Sequence, residues 1–246
     1  MLREQAAADL ILAGKLLYEH RLVVGIDGNL SARLDDGGYL TTPAGRCKGL
    51  LEANELVDVD AKGRARAGAR PSSEFGMHLA VYAQRADVDA VLHAHPAFCT
   101  AFAAAGRPLE RCVLPEMIVG VGSVPVSEYA TPSTEEVAAV VRPLIVEHDA
   151  ILLRNHGLLV CGQGVLPTLH KLENIEHWAQ IEWLAGFLGG ARSLTPQQVM
   201  RLREIRGVYG LTRPAPPCSH DDEAAATAAD AELAHFVAQE LLRRAN

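Results

Sequence analysis

His93 and His95 stand two residues apart in Val-Leu-His-Ala-His-Pro, residues 91–96. In an extended strand that spacing puts both imidazoles on one face. Ala90-Val91-Leu92 reads as a short buried strand that Pro96 ends. Two imidazoles at a strand end are half a metal site; they are equally a ligand-free pair on a sheet edge. Two other segments bear on the choice. Pro71-Ser72-Ser73-Glu74 offers a carboxylate, and Asn155-His156-Gly157 offers a third imidazole. One carboxylate and three imidazoles suit Zn²⁺, and also Mn²⁺ or Co²⁺. Spacing alone cannot join them, because the segments lie far apart in the chain.

The elements that must position these groups follow from pattern. Leu10, Ala13, Gly14 and Leu17 fall on one stripe and predict a helix over Ala6–His20. Gly25–Arg33 reads as a turn feeding a strand, Tyr39–Thr42 as a second strand and Leu56–Val59 as a third. Ser72 or Ser73 is the expected N-cap of a helix running to about Gln84. After the histidine strand come a helix from Pro96 to about Ala105 and a strand over Val124–Ser127. Ser133-Thr134-Glu135-Glu136 has capping-box spacing and opens a helix to about Glu147. Ile151–Arg154 and Leu158–Cys161 are strands flanking Asn155-His156-Gly157, and Leu166–Leu188 is a long helix. Thr195-Pro196-Gln197-Gln198 opens another, with Pro at its first position. Thr212–His220 is a Pro-rich linker, and Asp221–Arg244 reads as a last helix. Strands and helices mix without strict alternation. The expectation is a mainly antiparallel or mixed sheet with helices on its faces, in one domain over 1–211, with 212–246 as an appendage.

Composition narrows the function. The chain has 246 residues, 49% of them hydrophobic, and a net charge of −7 with both signs spread along it. A nucleic-acid surface needs clustered Lys and Arg, so no nucleic-acid partner is expected. No run of about 18 apolar residues marks a membrane span. Met1–Gln5 carries charge of both signs with no apolar signal core behind it, so the expected location is cytoplasmic. Five cysteines without a C-x-x-C argue against a disulfide framework and leave most of them as small apolar fillers. Glu173 and His177, with His170 a turn earlier, imitate a second metal site but read as a polar helix face. His78 falls on the buried side of the helix after Glu74.

Six motifs occur in order: Gly28-Asn29-Leu30-Ser31, Thr42-Pro43-Ala44-Gly45, Pro71-Ser72-Ser73-Glu74, His93-Ala94-His95-Pro96, Tyr129-Ala130-Thr131-Pro132 and Asn155-His156-Gly157-Leu158. In these the chain, from roughly Leu10 to Leu211, resembles the class II aldolase/adducin family. The resemblance implies a three-layer α/β/α domain with a central, mostly antiparallel sheet. It also implies a homotetramer with sites between subunits. It implies one divalent metal per subunit, Zn²⁺ first and Mn²⁺ or Co²⁺ as alternatives, held by Glu74, His93, His95 and His156. The implied cradle for a sugar phosphate is Asn29, Gly45, Ser72 and Ser73, with Ala44 in place of a threonine. A helix N-terminus at the serines would suit that anion.

The implied reaction is cleavage of a ketose 1-phosphate, of fuculose phosphate type or a 5-deoxy or methylthio pentulose phosphate. Its products are dihydroxyacetone phosphate and an aldehyde, and Glu74 is the implied base. Where the family's aldolases carry a catalytic tyrosine, this chain has Glu116, either an acid–base group or a solvated residue after Pro115. Tyr209, in Tyr-Gly-Leu, matches a tyrosine near the aldehyde end, or is a packing residue. The Glu116-Met117-Ile118 run also resembles the family's methylthioribulose-1-phosphate dehydratases, which lack the Ser-Ser-Glu kept here. Metal-dependent decarboxylases of the family are a further alternative. An adducin-like binding module, without a complete ligand set, ranks last.

Overall fold

The structure, a computed structural model, describes residues 1–66, 70–211 and 213–219. The chain runs α1 (Arg3–Glu19), β1 (Asn29–Arg33), β2 (Tyr39–Thr41), β3 (Val57–Val59), α2 (Phe75–Gln84), β4 (Ala90–Ala94), α3 (Ala97–Ala105) and α4 (Pro115–Gly120). It continues through α5 (Glu135–Ile145), β5 (Ala150–Leu153), β6 (Gly157–Gly162), α6 (Val165–Phe187) and α7 (Pro196–Glu204). The expected helix Asp221–Arg244 lies outside the described residues.

The strands form one sheet in the order β3-β2-β1-β4-β6-β5, every neighbouring pair antiparallel. β1–β2 and β5–β6 are joined by short connections, and β4 is threaded between β1 and β6. The two-residue period of a strand sorts side chains to the two faces. Leu30, Leu92, Leu152, Leu158 and Val160 pack with α1, α3 and α6, around the fully buried Trp178. Val91, Ile151, Leu153, Leu159 and Cys161 pack with α2 and α5. The result is the expected α/β/α arrangement. The α1 stripe of Leu10, Ala13, Gly14 and Leu17 is buried as its spacing predicts.

Four local expectations are corrected. Val124–Ser127 is not a strand: Val124 and Val126 make single bridges to Leu109 and Leu152, and Pro125 between them has no N–H to extend a ladder. The N-cap position of α2 is Glu74, not Ser72 or Ser73, although the Ser72 hydroxyl does accept from the Glu74 amide at 3.3 Å. α4 was not foreseen; Pro115 opens it at the first turn, a position that needs no N–H. Cys112 and Cys218 form a disulfide, against the expectation of none. They are 106 residues apart, and become neighbours because 213–219 returns beside 110–112, with Ser219 bridging Arg111. Cys99 and Cys161 are the buried fillers expected.

Candidate metal centre

The sheet register assembles the centre. Asn29 on β1 lies opposite His93 on β4, and His93 lies opposite Leu159 on β6. His93 sits on the α2 face near the end of β4, and His95 just beyond it, its amide donating to the Leu22 carbonyl at 3.1 Å. His156 comes from the tight β5–β6 turn. Asn155 there takes a positive φ of 56°, which Asn tolerates better than most residues. At Gly157 a Cβ would meet the Ala94 carbonyl oxygen at 2.5 Å and the His95 ring at 2.6 Å. Only glycine lets this turn close on the end of β4.

Three ring nitrogens converge. His95 Nε2 is 3.0 Å from His93 Nε2, which is 3.3 Å from His156 Nε2. Two facing nitrogens this close cannot both carry hydrogens. His93 Nδ1 lies 3.0 Å from the Leu158 carbonyl oxygen and must donate to it, which leaves Nε2 as a bare lone pair. His95 Nδ1 faces Asp27 at 3.5 Å, which favours the same tautomer. Burial, then the neighbouring His156 and His95, hold His93 well below the ordinary imidazole range. Burial lowers His156 too, with Glu74 opposing. Both shifts favour the neutral imidazole, the form in which histidine binds a metal.

Glu74 completes the set from the start of α2. Its Oε2 is 3.5 Å from His93 Nε2, and its Oε1 is 3.3 Å from His156 Nε2. Asn29 Nδ2 donates to Oε2 at 2.9 Å. Oε1 is buried and has no hydrogen-bond partner. A buried carboxylate oxygen without a hydrogen-bond partner beside converging imidazole nitrogens is costly by itself and is what a cation would satisfy. The residues present fit a divalent metal. Among the described residues His93, His95 and His156 are the one His/Cys/Asp/Glu group with ligand-like convergence, and Glu74 lies beside two of them, His93 and His156.

The cradle residues lie alongside. Ala44 donates to the Arg70 carbonyl and Ser72 to the Thr42 carbonyl, which lays the Gly45 loop beside the serines. Gly45 is exposed with φ 69°. Asn29 is buried, and both ends of its amide are engaged within the protein: Nδ2 on Glu74, Oδ1 on His78. Ser73 Oγ lies 2.8 Å from Ser133 Oγ. Between the first turns of α2 and α5 opens a small cleft of about 180 Å³ lined by Ser73, Glu74, Met77, Ser133 and Thr134.

Two expected residues do not join the cluster within one chain. Glu116 is exposed on the first turn of α4, and Tyr209 is exposed after α7. Neither makes a hydrogen bond or ion pair with Glu74, His93, His95 or His156 among the described residues. The Glu173 group is a polar face as read: its carboxylate lies 2.6 Å from His20 Nδ1. Sequence reading gave no role to Asp27 or Lys48. Lys48 is buried, and its ammonium donates to the Ile26 and Arg46 carbonyls at 2.6 and 2.8 Å, tying the Asp27 turn to the Gly45 loop. A lysine beside Gly-Arg-Cys carries no spacing signal for that task.

A family model described as the class II aldolase and adducin N-terminal domain matches residues 8–183. The 3-oxo-tetronate 4-phosphate decarboxylase of Pectobacterium atrosepticum is 30% identical, over 74% of this chain and 86% of that protein. The 5-methylthioribulose-1-phosphate/5-deoxyribulose-1-phosphate aldolase of Rhodospirillum rubrum is 31% identical, over 78% of this chain and 88% of that protein. The solved structure of an L-fuculose 1-phosphate aldolase superposes with a TM-score of 0.75 at 33% identity, covering 81% of this chain and 94% of the other.

Proposed function

The chain belongs to the class II aldolase and adducin N-terminal domain family, and from that premise we propose that it is a metal-dependent aldolase. Its substrate is a ketose 1-phosphate, and its products are dihydroxyacetone phosphate and an aldehyde. The observation that carries this reading is the convergence of His93, His95 and His156, with Glu74 beside His93 and His156 and one of its oxygens without a hydrogen-bond partner. Those four residues would hold the metal, Zn²⁺ before Mn²⁺ or Co²⁺. A bound divalent cation would draw electron density from a ketone oxygen and make the neighbouring carbon–carbon bond easier to break.

The chain's own groups do the rest. In cleavage, a base takes the proton of the hydroxyl beside the breaking bond. The bonding pair moves toward the ketone carbonyl, and a proton returns to carbon. We assign the hydroxyl oxygen to Glu116 of a neighbouring subunit, with Tyr209 near the same end, and the carbon proton to Glu74 through Oε1. Gly45, Ser72, Ser73 and Asn29 would bind the phosphate. A homotetramer supplies the shared site, and an exposed run of Trp183, Leu184 and Leu188 on and just after α6 supports association. None of the described helices is long and apolar enough to cross a membrane.

A second reading is decarboxylation of a phosphorylated 3-oxo acid. Two observations favour it: Glu116 stands in place of the aldolase tyrosine, and a decarboxylase is among the relatives. Both reactions break a bond one carbon from a carbonyl and share the metal requirement. The test is a product assay of the metal-loaded protein on a panel of ketose 1-phosphates and on a 3-oxo acid 4-phosphate. Dihydroxyacetone phosphate from the first group supports aldol cleavage. Carbon dioxide from the second alone replaces it with the second reading, and no turnover of either overturns both.

A further inference from the structure

His78 has no part in the chemistry above, yet it is fully buried and joined to the metal centre. It lies four residues after Glu74, on the inner face of α2. Its Nε2 is 2.5 Å from Asn29 Oδ1, and its Nδ1 is 2.7 Å from Ser31 Oγ. Ser31 Oγ is 2.8 Å from the Tyr82 hydroxyl. Asn29 and Ser31 share one face of β1, and His78 and Tyr82 are one helical turn apart, so the strand and helix periods interlock.

The direction of every hydrogen bond in this chain is determined. An ionised Glu74 only accepts, so Asn29 must present its NH₂ to Oε2 and its carbonyl oxygen to His78. His78 must then carry its hydrogen on Nε2 and accept at Nδ1. Ser31 donates to that nitrogen and accepts from Tyr82. Each group donates toward Glu74, and aligned donors in a dry interior strengthen one another. The far end is anchored: Tyr82 stacks on Tyr39 at 4.9 Å, the Arg33 guanidinium lies 4.9 Å over its ring, and Arg33 also donates to the Tyr82 carbonyl at 2.6 Å.

We infer that Tyr82, Ser31, His78 and Asn29 form a positioning relay that pins Glu74 Oε2, so that Oε1 alone is presented to the metal and to a transferring proton. His78 is the positioning residue at its centre, and it acts through Asn29. The inference rests on the metal-site reading but not on which bond the enzyme breaks. It also gives Asn29 a task before any substrate phosphate arrives.

The test uses Co²⁺ as the probe, titrated into chelator-stripped full-length protein and followed by its visible absorption. Outer partners of metal ligands are typically worth about 10–100-fold in affinity. His78→Asn, whose amide reaches only the Nδ1 position, should weaken Co²⁺ binding by about tenfold. His78→Gln, whose NH₂ can occupy the Nε2 position, should stay within about threefold of wild type. Asn29→Ala should weaken binding as His78→Asn does, and the double variant should be no worse than Asn29→Ala alone, because the second group acts through the first. Equal affinities for the Gln and Asn variants, or a double variant equal to the product of the singles, would overturn the relay while leaving the metal site standing. A wild-type chain that binds no Co²⁺ would overturn both. Should His78→Asn not fold, Ser31→Ala takes its place: it frees the imidazole to adopt the other tautomer and should weaken Co²⁺ by at least about threefold, with no change overturning the relay.

Discussion

Two polar clusters lie at opposite ends of β4. At its start, Asp149 receives Arg85 and Arg213 on Oδ1 at 2.9 and 2.6 Å and Lys171 on Oδ2 at 2.8 Å. Arg85 also grips Asp87 through two bonds of 2.8 Å and donates to the Ile145 carbonyl. Every charge there has a partner. At the other end, three imidazoles face one another and Glu74 Oε1 has no hydrogen-bond partner. The first cluster is richer in charge, but its pairing is complete and it fastens the ends of β4, β5 and β6 together. The second is incomplete by itself. Incomplete pairing beside converging imidazoles, not charge density, distinguishes the proposed metal cluster from the ion-pair cluster.

Substitutions at the two ends should therefore have crossed effects. Glu74→Gln should lower kcat by about 10²–10⁴-fold, the usual worth of an acid–base group, without lowering the Tm of the metal-free protein. A Tm loss comparable to the activity loss would break the distinction. Glu116→Gln should cost kcat by the same order, about 10²–10⁴-fold, with metal content unchanged. An intact rate would make Glu116 a surface charge and turn attention to Tyr209. Asp149→Asn should do the reverse. It removes the carboxylate charge that three cations share and should cost about 3 kcal/mol, or a Tm lower by about 6–12 °C in a domain of this size. Its kcat should remain within about twofold, since no described contact links it to the metal centre.

The pH dependence of stability separates the ends again. His93 and His78 are buried neutral, His78 with its pKa lowered to about 3 by burial. Their folded values lie below the unfolded value of about 6.5, so as pH falls the unfolded chain takes up protons first and stability drops. Burial opposes ionisation of Asp149, yet Lys171 and Arg85 outweigh it and hold the carboxyl below its usual range. Its contribution is whole above the unfolded value of about 3.9 and is lost only as pH falls through the lower folded value. The Tm of metal-free protein should fall between pH 7 and pH 5, and should fall equally in Asp149→Asn. A flat profile over that range would contradict buried neutral histidines. The smallest effect is at the cradle: Ser72→Ala should raise KM for the phosphorylated ketose by roughly tenfold, the loss of one charge-assisted hydrogen bond. Equal turnover of the unphosphorylated sugar would show the cradle misassigned.

Much of the second cluster was legible in the sequence, because its residues sit in compact motifs. His93-Ala94-His95 has strand spacing, and Asn155-His156-Gly157 has the turn residues that a tight hairpin needs. The relay behind them was not legible. Asn29, Ser31, His78 and Tyr82 meet because β1 pairs with β4 in one register and α2 lies across that face, which no local pattern encodes. The Asp149 cluster escaped for the same reason, its members drawn from Arg85, Asp149, Lys171 and Arg213. The Cys112–Cys218 pair depends on a chain return 106 residues later. α4 was hidden by its length of 6 residues, too short to show a helical period.

The most direct test of the central claim is metal content. Wild-type protein should be stripped with a chelator, reloaded with Zn²⁺, desalted and subjected to elemental analysis, beside Asp149→Asn and a His93→Ala/His95→Ala variant. The account predicts one metal per chain in wild type and in Asp149→Asn, and none in the double histidine variant. Wild-type occupancy in the double variant would contradict it.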